Sequence, residues 1–224
     1  MHCLSCHEVI MPETTWDNIF FLSKPSKLCN VCEQMLYILQ GARCVRCSRE
    51  HASRICPDCR RWDRFYAEED PLTYNFSIYW YNAKIQEILA QWKYRGDYEL
   101  GNVFKEQFRA SFATNFPSDA VVIPIPLSKE RLRERAFNQA QMLASMLPVE
   151  MNPILARVHS EKQSKKSRKE RLNSINPFKL KKTIEKPAIL VDDLYTTGIT
   201  LRHAATLLKN NGCPNVYAYT LIRA

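Results

Sequence analysis

Residues 189–201 read Ile-Leu-Val-Asp-Asp-Leu-Tyr-Thr-Thr-Gly-Ile-Thr-Leu, and no other stretch constrains the chain so tightly. An apolar run, Ala188 to Val191, breaks into two carboxylates, Asp192 and Asp193. A hydroxyl-and-glycine turn follows, and then the apolar period Leu201, Ala204, Ala205, Leu207, Leu208. A short continuous apolar run fits a strand buried on both faces, which implies a parallel sheet covered by helices. Open α/β sheets hold ligands beyond the carboxyl ends of their strands, so the acidic pair sits on a binding edge. The Thr-Thr-Gly-Ile-Thr turn then opens a helix, whose unpaired N–H groups and positive dipole end favour an anion. Gly198 lets backbone approach a phosphate, and the hydroxyls of Thr196, Thr197 and Thr200 can cap the helix or donate to phosphate oxygens. Carboxylates repel phosphate, so Asp192 and Asp193 must serve sugar hydroxyls or a metal instead. A phosphate beside a vicinal diol describes a ribose 5-phosphate. The plainer alternative is an Asp-rich strand end followed by a Thr-capped helix.

This stretch resembles the signature of the type I phosphoribosyltransferases, whose ligand is phosphoribosyl pyrophosphate (PRPP). The resemblance implies that Asp192 and Asp193 take the ribose 2- and 3-hydroxyls and that Thr196, Thr197, Gly198 and Thr200 cradle the 5-phosphate. It also implies magnesium bound with PRPP, and an α/β fold with a mostly parallel sheet flanked by helices.

Eight of the nine cysteines fall into four Cys-x-x-Cys pairs before residue 60: Cys3/Cys6, Cys29/Cys32, Cys44/Cys47 and Cys56/Cys59. Each pair presents two sulfurs to one metal, so one or two structural four-thiolate zinc sites are expected. Sequential pairing makes two ribbons with loops of 22 and 8 residues, and interleaved pairing makes a cross-braced module. The short second loop favours the first without deciding it. Cys213 stands alone in a turn and reads as structural, and His2, His7 and His51 read as bystanders of the knuckles. Glu68-Glu-Asp-Pro71 marks the expected boundary between a zinc-binding module, residues 1–70, and a phosphoribosyltransferase-like domain, residues 71–224. The first part carries nine Lys/Arg against ten Asp/Glu and the second 23 against 13, so the positive field belongs to the second part and suits polyanions. No stretch approaches the roughly 18 apolar residues of a membrane span, and the N-terminus has no basic flank before an apolar run. A soluble, cytoplasmic chain without membrane insertion is expected.

Tyr74 to Trp80 alternates like a half-exposed strand, and helical spacing follows from Ala83 to Trp92 and from Leu100 to Phe108. Between these helices, Trp92-Lys-Tyr-Arg-Gly-Asp-Tyr98 reads equally as a base-stacking basic-aromatic stretch and as a helix end packed on a core. Ala120 to Pro126 is the next buried strand. Lys129, Arg131, Arg133 and Arg135 follow it, chemically apt for pyrophosphate, with Glu130 and Glu134 as alternative intrahelical partners. Residues 159–171 have almost no apolar side chain and are expected to form a mobile basic loop, in which Gln163, Lys165, Lys166, Arg168 and Arg171 would meet an anionic ligand or a nucleic acid backbone. Pro177 to Leu180 is expected to return to the sheet, and Val216 to Ile222 to supply its last strand.

Four cysteine pairs, Lys93-Tyr-Arg-Gly-Asp-Tyr-Glu99, Pro124-Ile-Pro-Leu127, Arg131-Leu-Arg-Glu-Arg-Ala-Phe-Asn-Gln139, Gln163 with Arg168, Arg171 and Asn173, and the stretch at 189–201 follow one another in this order. The succession resembles the ComF family of late competence proteins in its ComFC type. The resemblance implies a role in natural transformation, handling incoming single-stranded DNA on the cytoplasmic side beside a DNA helicase-like ATPase of the same operon, with recruitment to the inner face of the membrane through partners. The alternative it carries is transfer of ribose 5-phosphate from PRPP to a nitrogen acceptor. Ala136 stands where the family pattern has glycine, which puts a tight turn there in question. Thr196 stands where purine-salvage transferases carry a candidate general base. Little sequence follows the last strand, so a hood over an acceptor would come from residues 74–115 or from the zinc module.

Overall fold

The computed structural model of the chain describes residues 1–11, 26–67, 69–158 and 176–224. In chain order the described elements are α1 (Asn30–Gln34), α2 (Pro57–Tyr66), β1 (Tyr74–Trp80), α3 (Ala83–Tyr94), a 3-10 helix (Tyr98–Phe104), α4 (Lys105–Asn115) and β2 (Val121–Pro124). They continue with α5 (Lys129–Arg135), α6 (Gln139–Ser145), β3 (Leu155–Arg157), β4 (Phe178–Leu180), β5 (Ala188–Tyr195), α7 (Ile199–Lys209) and β6 (Val216–Arg223). The sheet has the order β1-β6-β5-β2, and every pairing in it is parallel. Ala188 to Val191 are fully buried, as the unbroken apolar run of β5 requires of a central strand.

Successive side chains of β5 point to opposite faces and so join two cores. Ile189 and Val191 pack with Trp92, Phe104, Phe108, Met142 and Leu143 from α3, the 3-10 helix, α4 and α6. Ala188 and Leu190 pack with Leu201, Ala204 and Leu208 of α7, and this second core also contains Cys44, Cys47, Cys56 and Cys59. The second cysteine cluster is thus built into one face of the sheet.

That placement changes how β1 reads. Its polar alternation, Asn75 and Ser77, suggests a solvated face, yet both side chains are buried. The Ser48 hydroxyl donates to the Asn75 carbonyl at 2.9 Å, Asn75 donates to Ser77 Oγ at 2.7 Å, and Thr220 donates to Asn75 Oδ1 at 3.1 Å. The knuckle after Cys47 covers this face, and the hydroxyls and amide satisfy one another there instead of meeting water.

Two further expectations are corrected. Residues 178–180 do not return to the main sheet; they pair antiparallel with β3 as a separate two-stranded sheet beneath α7, where Asn176 donates to the His203 carbonyl. Lys129 to Arg135, expected as a pyrophosphate loop with a helix start as the alternative, forms helix α5, because Ser128 caps it by accepting from the Arg131 N–H and the sequence between is made of good helix formers. The helix ends on Ala136 in the left-handed region, at φ 65°. The tight turn is therefore made without glycine, at a cost of roughly 1–2 kcal/mol of backbone strain.

Candidate functional site

β5 delivers Asp192 and Asp193 to the carboxyl edge of the sheet, one strand-width from Thr220 of β6. Asp193 is buried, and its carboxylate forms an ion pair with Lys93, which reaches across from the last turn of α3. Asp192 accepts the Asp193 N–H at 2.9 Å. Lys93 was legible only as part of a basic-aromatic stretch, and the structure divides that stretch. Trp92 is core, Lys93 pairs with Asp193, and Tyr94 and Tyr98 are exposed.

After Tyr195 the chain turns through Thr196 and Thr197 to Gly198, at φ 76°, and α7 begins. Thr196 is exposed, and Thr197 and Thr200 are half-buried. Arg202, one turn into α7, is buried and holds Asp70 through Nε and Nη2, the latter at 2.7 Å, while Nη1 donates to the Tyr195 hydroxyl at 2.9 Å. The start of the helix is thereby fastened from below.

The cations of α5 do not act as one set. Helical geometry places residues i and i+4 on a shared face and turns i+2 away, so Arg131 and Arg135 lie together and Arg133 points elsewhere. Arg135 donates to Gln139 at 3.3 Å and lies 5.7 Å from the Tyr94 ring centre. The Arg131 charge instead acts on Arg157, at the end of β3. Burial, and next the Arg131 charge, lower the Arg157 pKa, while Asp192 draws it upward. Arg157 therefore joins Lys93 as a site cation that the linear pattern did not single out. Lys129, Arg131 and Arg133 are exposed on α5. Gln163, Lys165, Lys166, Arg168 and Arg171 lie outside the described residues. Cavities of 530 and 360 Å³ open elsewhere, lined by residues such as Tyr37, Trp80 and Phe76, and neither includes the acids.

Burial, and then the neighbouring Asp193 charge, push the Asp192 carboxyl up to about 8; its hydrogen bond from the Asp193 N–H and the Lys93 charge oppose this. A carboxyl near 4 in the unfolded chain and near 8 in the folded one binds more protons when folded, so stability falls as pH rises through that window. Asp192→Asn removes the titration. Thermal unfolding of both proteins at pH 5 and pH 8 should show the variant gaining on the parent at the higher pH by at least about 1 kcal/mol, roughly 2–4 °C. Parallel pH profiles would mean that the acid pair carries no such burden.

The thiolates gather sequentially: Cys3, Cys6, Cys29 and Cys32 form one group and Cys44, Cys47, Cys56 and Cys59 the other. In both groups the first pair sits on a turn closed by a hydrogen bond to the carbonyl of its first cysteine, from the N–H of His7 or of Ser48 at 2.9 Å. Both of those residues are left-handed, at φ 64° and 60°. In both groups the second pair opens a helix, α1 after Cys29 and α2 after Cys56. Tetrahedral zinc with bonds near 2.3 Å sets sulfurs about 3.8 Å apart. The Sγ separations are 3.6 Å for Cys6–Cys29, 3.7 Å for Cys44–Cys59 and 3.6 Å for Cys47–Cys56, so each group could hold one zinc ion. Among the described residues no helix is long and apolar enough to cross a membrane.

No protein-family model matches the chain. It is 40% identical to the competence protein ComFC of Bacillus subtilis, over 99% of this chain and 95% of the relative. It is 30% identical to the competence protein ComFC of Streptococcus pneumoniae, over the full length of both. The DNA utilization protein YhgH of Salmonella typhi is 24% identical over 88% of this chain and 96% of that one. Among solved structures, a hypoxanthine phosphoribosyltransferase of Staphylococcus aureus overlaps 55% of this chain and 62% of its own, with a TM-score of 0.35 and 16% identity. With 40% identity along almost its entire length to one ComFC and full-length similarity to another, the chain belongs to the ComFC family of competence proteins.

Proposed function

We propose that this chain is an accessory protein of DNA uptake whose strand-end site binds the ribose 5-phosphate of PRPP together with magnesium, and whose basic second part binds single-stranded DNA beside a helicase-like ATPase. The observation that carries the first half is the Asp193–Lys93 pair at the end of β5, next to the left-handed Gly198 that opens α7. Acceptors for a diol and a helix start suited to a phosphate lie on one edge, which is the chemistry of a phosphorylated ribose. Asp192 and Asp193 would take the ring hydroxyls, residues 196–200 the 5-phosphate, and Arg131 and Arg157 the pyrophosphate charge. Calorimetric titration of the zinc-loaded chain with PRPP and magnesium should show binding that weakens at least about ten-fold in Asp193→Asn, which loses the charge that Lys93 holds. No heat from the intact protein would remove the ribose-phosphate reading.

The DNA half rests on the charge of residues 71–224 and on the family's competence names. Binding of a fluorescent single-stranded oligonucleotide should fall steeply, by about ten-fold or more, between 50 and 200 mM salt, because phosphate contacts release counterions. Binding that ignores salt, or is absent, would defeat it.

A second reading, phosphoribosyl transfer to a nitrogen acceptor, is favoured by Asp192, which exchanges its proton near pH 8 beside the sugar position. Pyrophosphate release on screening nitrogen acceptors would support it.

A further inference from the structure

Three successive carbonyls, from the last residue of β5 onward, accept side-chain donors from the side of the second thiolate cluster. Arg223, buried at the end of β6, donates from Nη1 to the carbonyls of Tyr195 and Thr196, both at 3.2 Å. Its Nη2 stands 3.7 Å from Cys47 Sγ. Trp62, on α2 just beyond Cys59, donates from Nε1 to the Thr197 carbonyl at 3.0 Å.

A trans peptide is planar, and the N–H of the following residue points opposite to the carbonyl. Holding the carbonyls of 195, 196 and 197 from one side therefore aims the N–H groups of Thr196, Thr197 and Gly198 toward the other. With Gly198 left-handed, successive N–H groups of this kind form a concave anion seat.

We propose that Arg223 and Trp62 are positioning residues for this seat, and that a metal ion held by Cys44, Cys47, Cys56 and Cys59 sets its phosphate affinity through them. The inference rests on reading the strand end as a ribose-phosphate site. Four thiolates around a divalent ion carry net negative charge, so the Arg223 guanidinium is at once a counter-ion of the cluster and a clamp on the loop. Trp62 follows the cluster because α2 begins at its third sulfur, with Cys56 as the N-cap residue. Loss of the metal releases both donors, and the carbonyls of Thr196 and Thr197 lose their side-chain partners, while that of Tyr195 keeps the Ala224 N–H at 3.0 Å. The zinc-bearing segment then acts as the rear wall of the ligand site, and its metal content becomes visible in ligand binding.

The test uses the full zinc-loaded chain as wild type, Trp62→Phe and Arg223→Lys. Hydrogen exchange is read on peptides covering residues 192–201, ribose 5-phosphate affinity is measured by calorimetry, and zinc is counted by chelator release. Phenylalanine keeps a ring beneath Arg202, whose guanidinium lies 4.2 Å from the Trp62 ring centre, and deletes one donor. Trp62→Phe should keep two zinc ions per chain and a thermal midpoint near wild type. It should exchange faster over 192–201 by about ten-fold and bind ribose 5-phosphate roughly 3- to 10-fold more weakly. Arg223→Lys should show larger changes in both and release zinc from the second site sooner; if it fails to fold, Trp62→Phe decides alone. Unchanged exchange in Trp62→Phe overturns the clamp. Equal ribose 5-phosphate affinity in wild type and variants overturns the coupling while leaving the ribose-phosphate reading in place. A wild type that binds no ribose 5-phosphate defeats that reading alone, and the exchange result still judges the clamp.

Discussion

Cys56→Ser is expected to abolish cooperative folding of the chain, whereas Cys6→Ser is expected to leave the sheet folded with one zinc ion fewer. The asymmetry follows from where the two clusters sit. Cys44, Cys47, Cys56 and Cys59 are each no more than 1% exposed and belong to the same core as Leu190, Leu201 and Leu208. Arg46, between the first pair, bonds Asp63 and Asp70, and Asp70 holds Arg202. Losing the second site therefore frees an apolar layer together with a chain of charges that ends in the buried Asp70–Arg202 pair. Structural zinc contributes about 10–16 kcal/mol to small zinc-dependent folds, which matches or exceeds the roughly 5–15 kcal/mol that keeps a domain folded. The first cluster instead forms its own small core with Leu28, touching the rest through Leu36 and Val103. Zinc stoichiometry and thermal unfolding of both variants check the claim. A Cys56→Ser protein with a wild-type midpoint would show that the second site is an appendage.

The same layering explains which parts of the fold were legible in the sequence. The strand, turn and helix at 188–209 was legible because an apolar run and a helical period, each satisfied locally, meet at a glycine. The cysteine pairs were legible as metal ligands, and their sequential grouping only leaned that way from loop length. What escaped depends on tertiary contact. Asn75 and Ser77 look solvent-facing until Ser48 closes over them, since no local period records a covering knuckle. Arg202 and Arg223 look like ordinary helix and strand cations, yet both are buried, because Asp70 and the carbonyls of 195 and 196 compensate their desolvation.

The candidate site was half legible for the same reason. Asp192, Asp193 and the turn that follows lie together in sequence. Lys93 and Arg157 come from α3 and β3, and the fold alone brings them to the acids. The alternating cations at 129–135 left two readings open, a phosphate-facing set and a charged helix start. Alternation lines one side of an extended stretch, but on α5 it divides the charges, and the Arg131 charge acts on Arg157.

Gly198→Ala is expected to destabilise the chain by about 3–5 kcal/mol, roughly 10 °C, independently of any ligand. Two costs combine. The backbone at φ 76° is left-handed, which alanine adopts only with strain. An added Cβ would also fall inside contact distance of the Tyr195 hydroxyl and of Arg202 Nη1. Both atoms end long side chains that would ordinarily swing aside. Here they cannot, because Arg202 is bound to Asp70 through two nitrogens and to Tyr195 through the third, and all three residues are buried. Moving the guanidinium breaks a buried ion pair, the costly way to make room. Tyr195→Phe removes the hydroxyl but keeps the ring carbon Cζ and Arg202 Nη1 inside contact distance, and takes one partner from the guanidinium, so the double variant should recover only a small part of the loss and remain well below wild type. The glycine was first read as room for a phosphate, and thermal unfolding of the ligand-free single and double variants separates that role from packing. A Gly198→Ala protein with a wild-type midpoint and lost ribose 5-phosphate binding would mean that the glycine serves the ligand and the packing beneath it yields; a protein that melts early without ligand would mean that the fold itself requires the gap into which the phosphate fits.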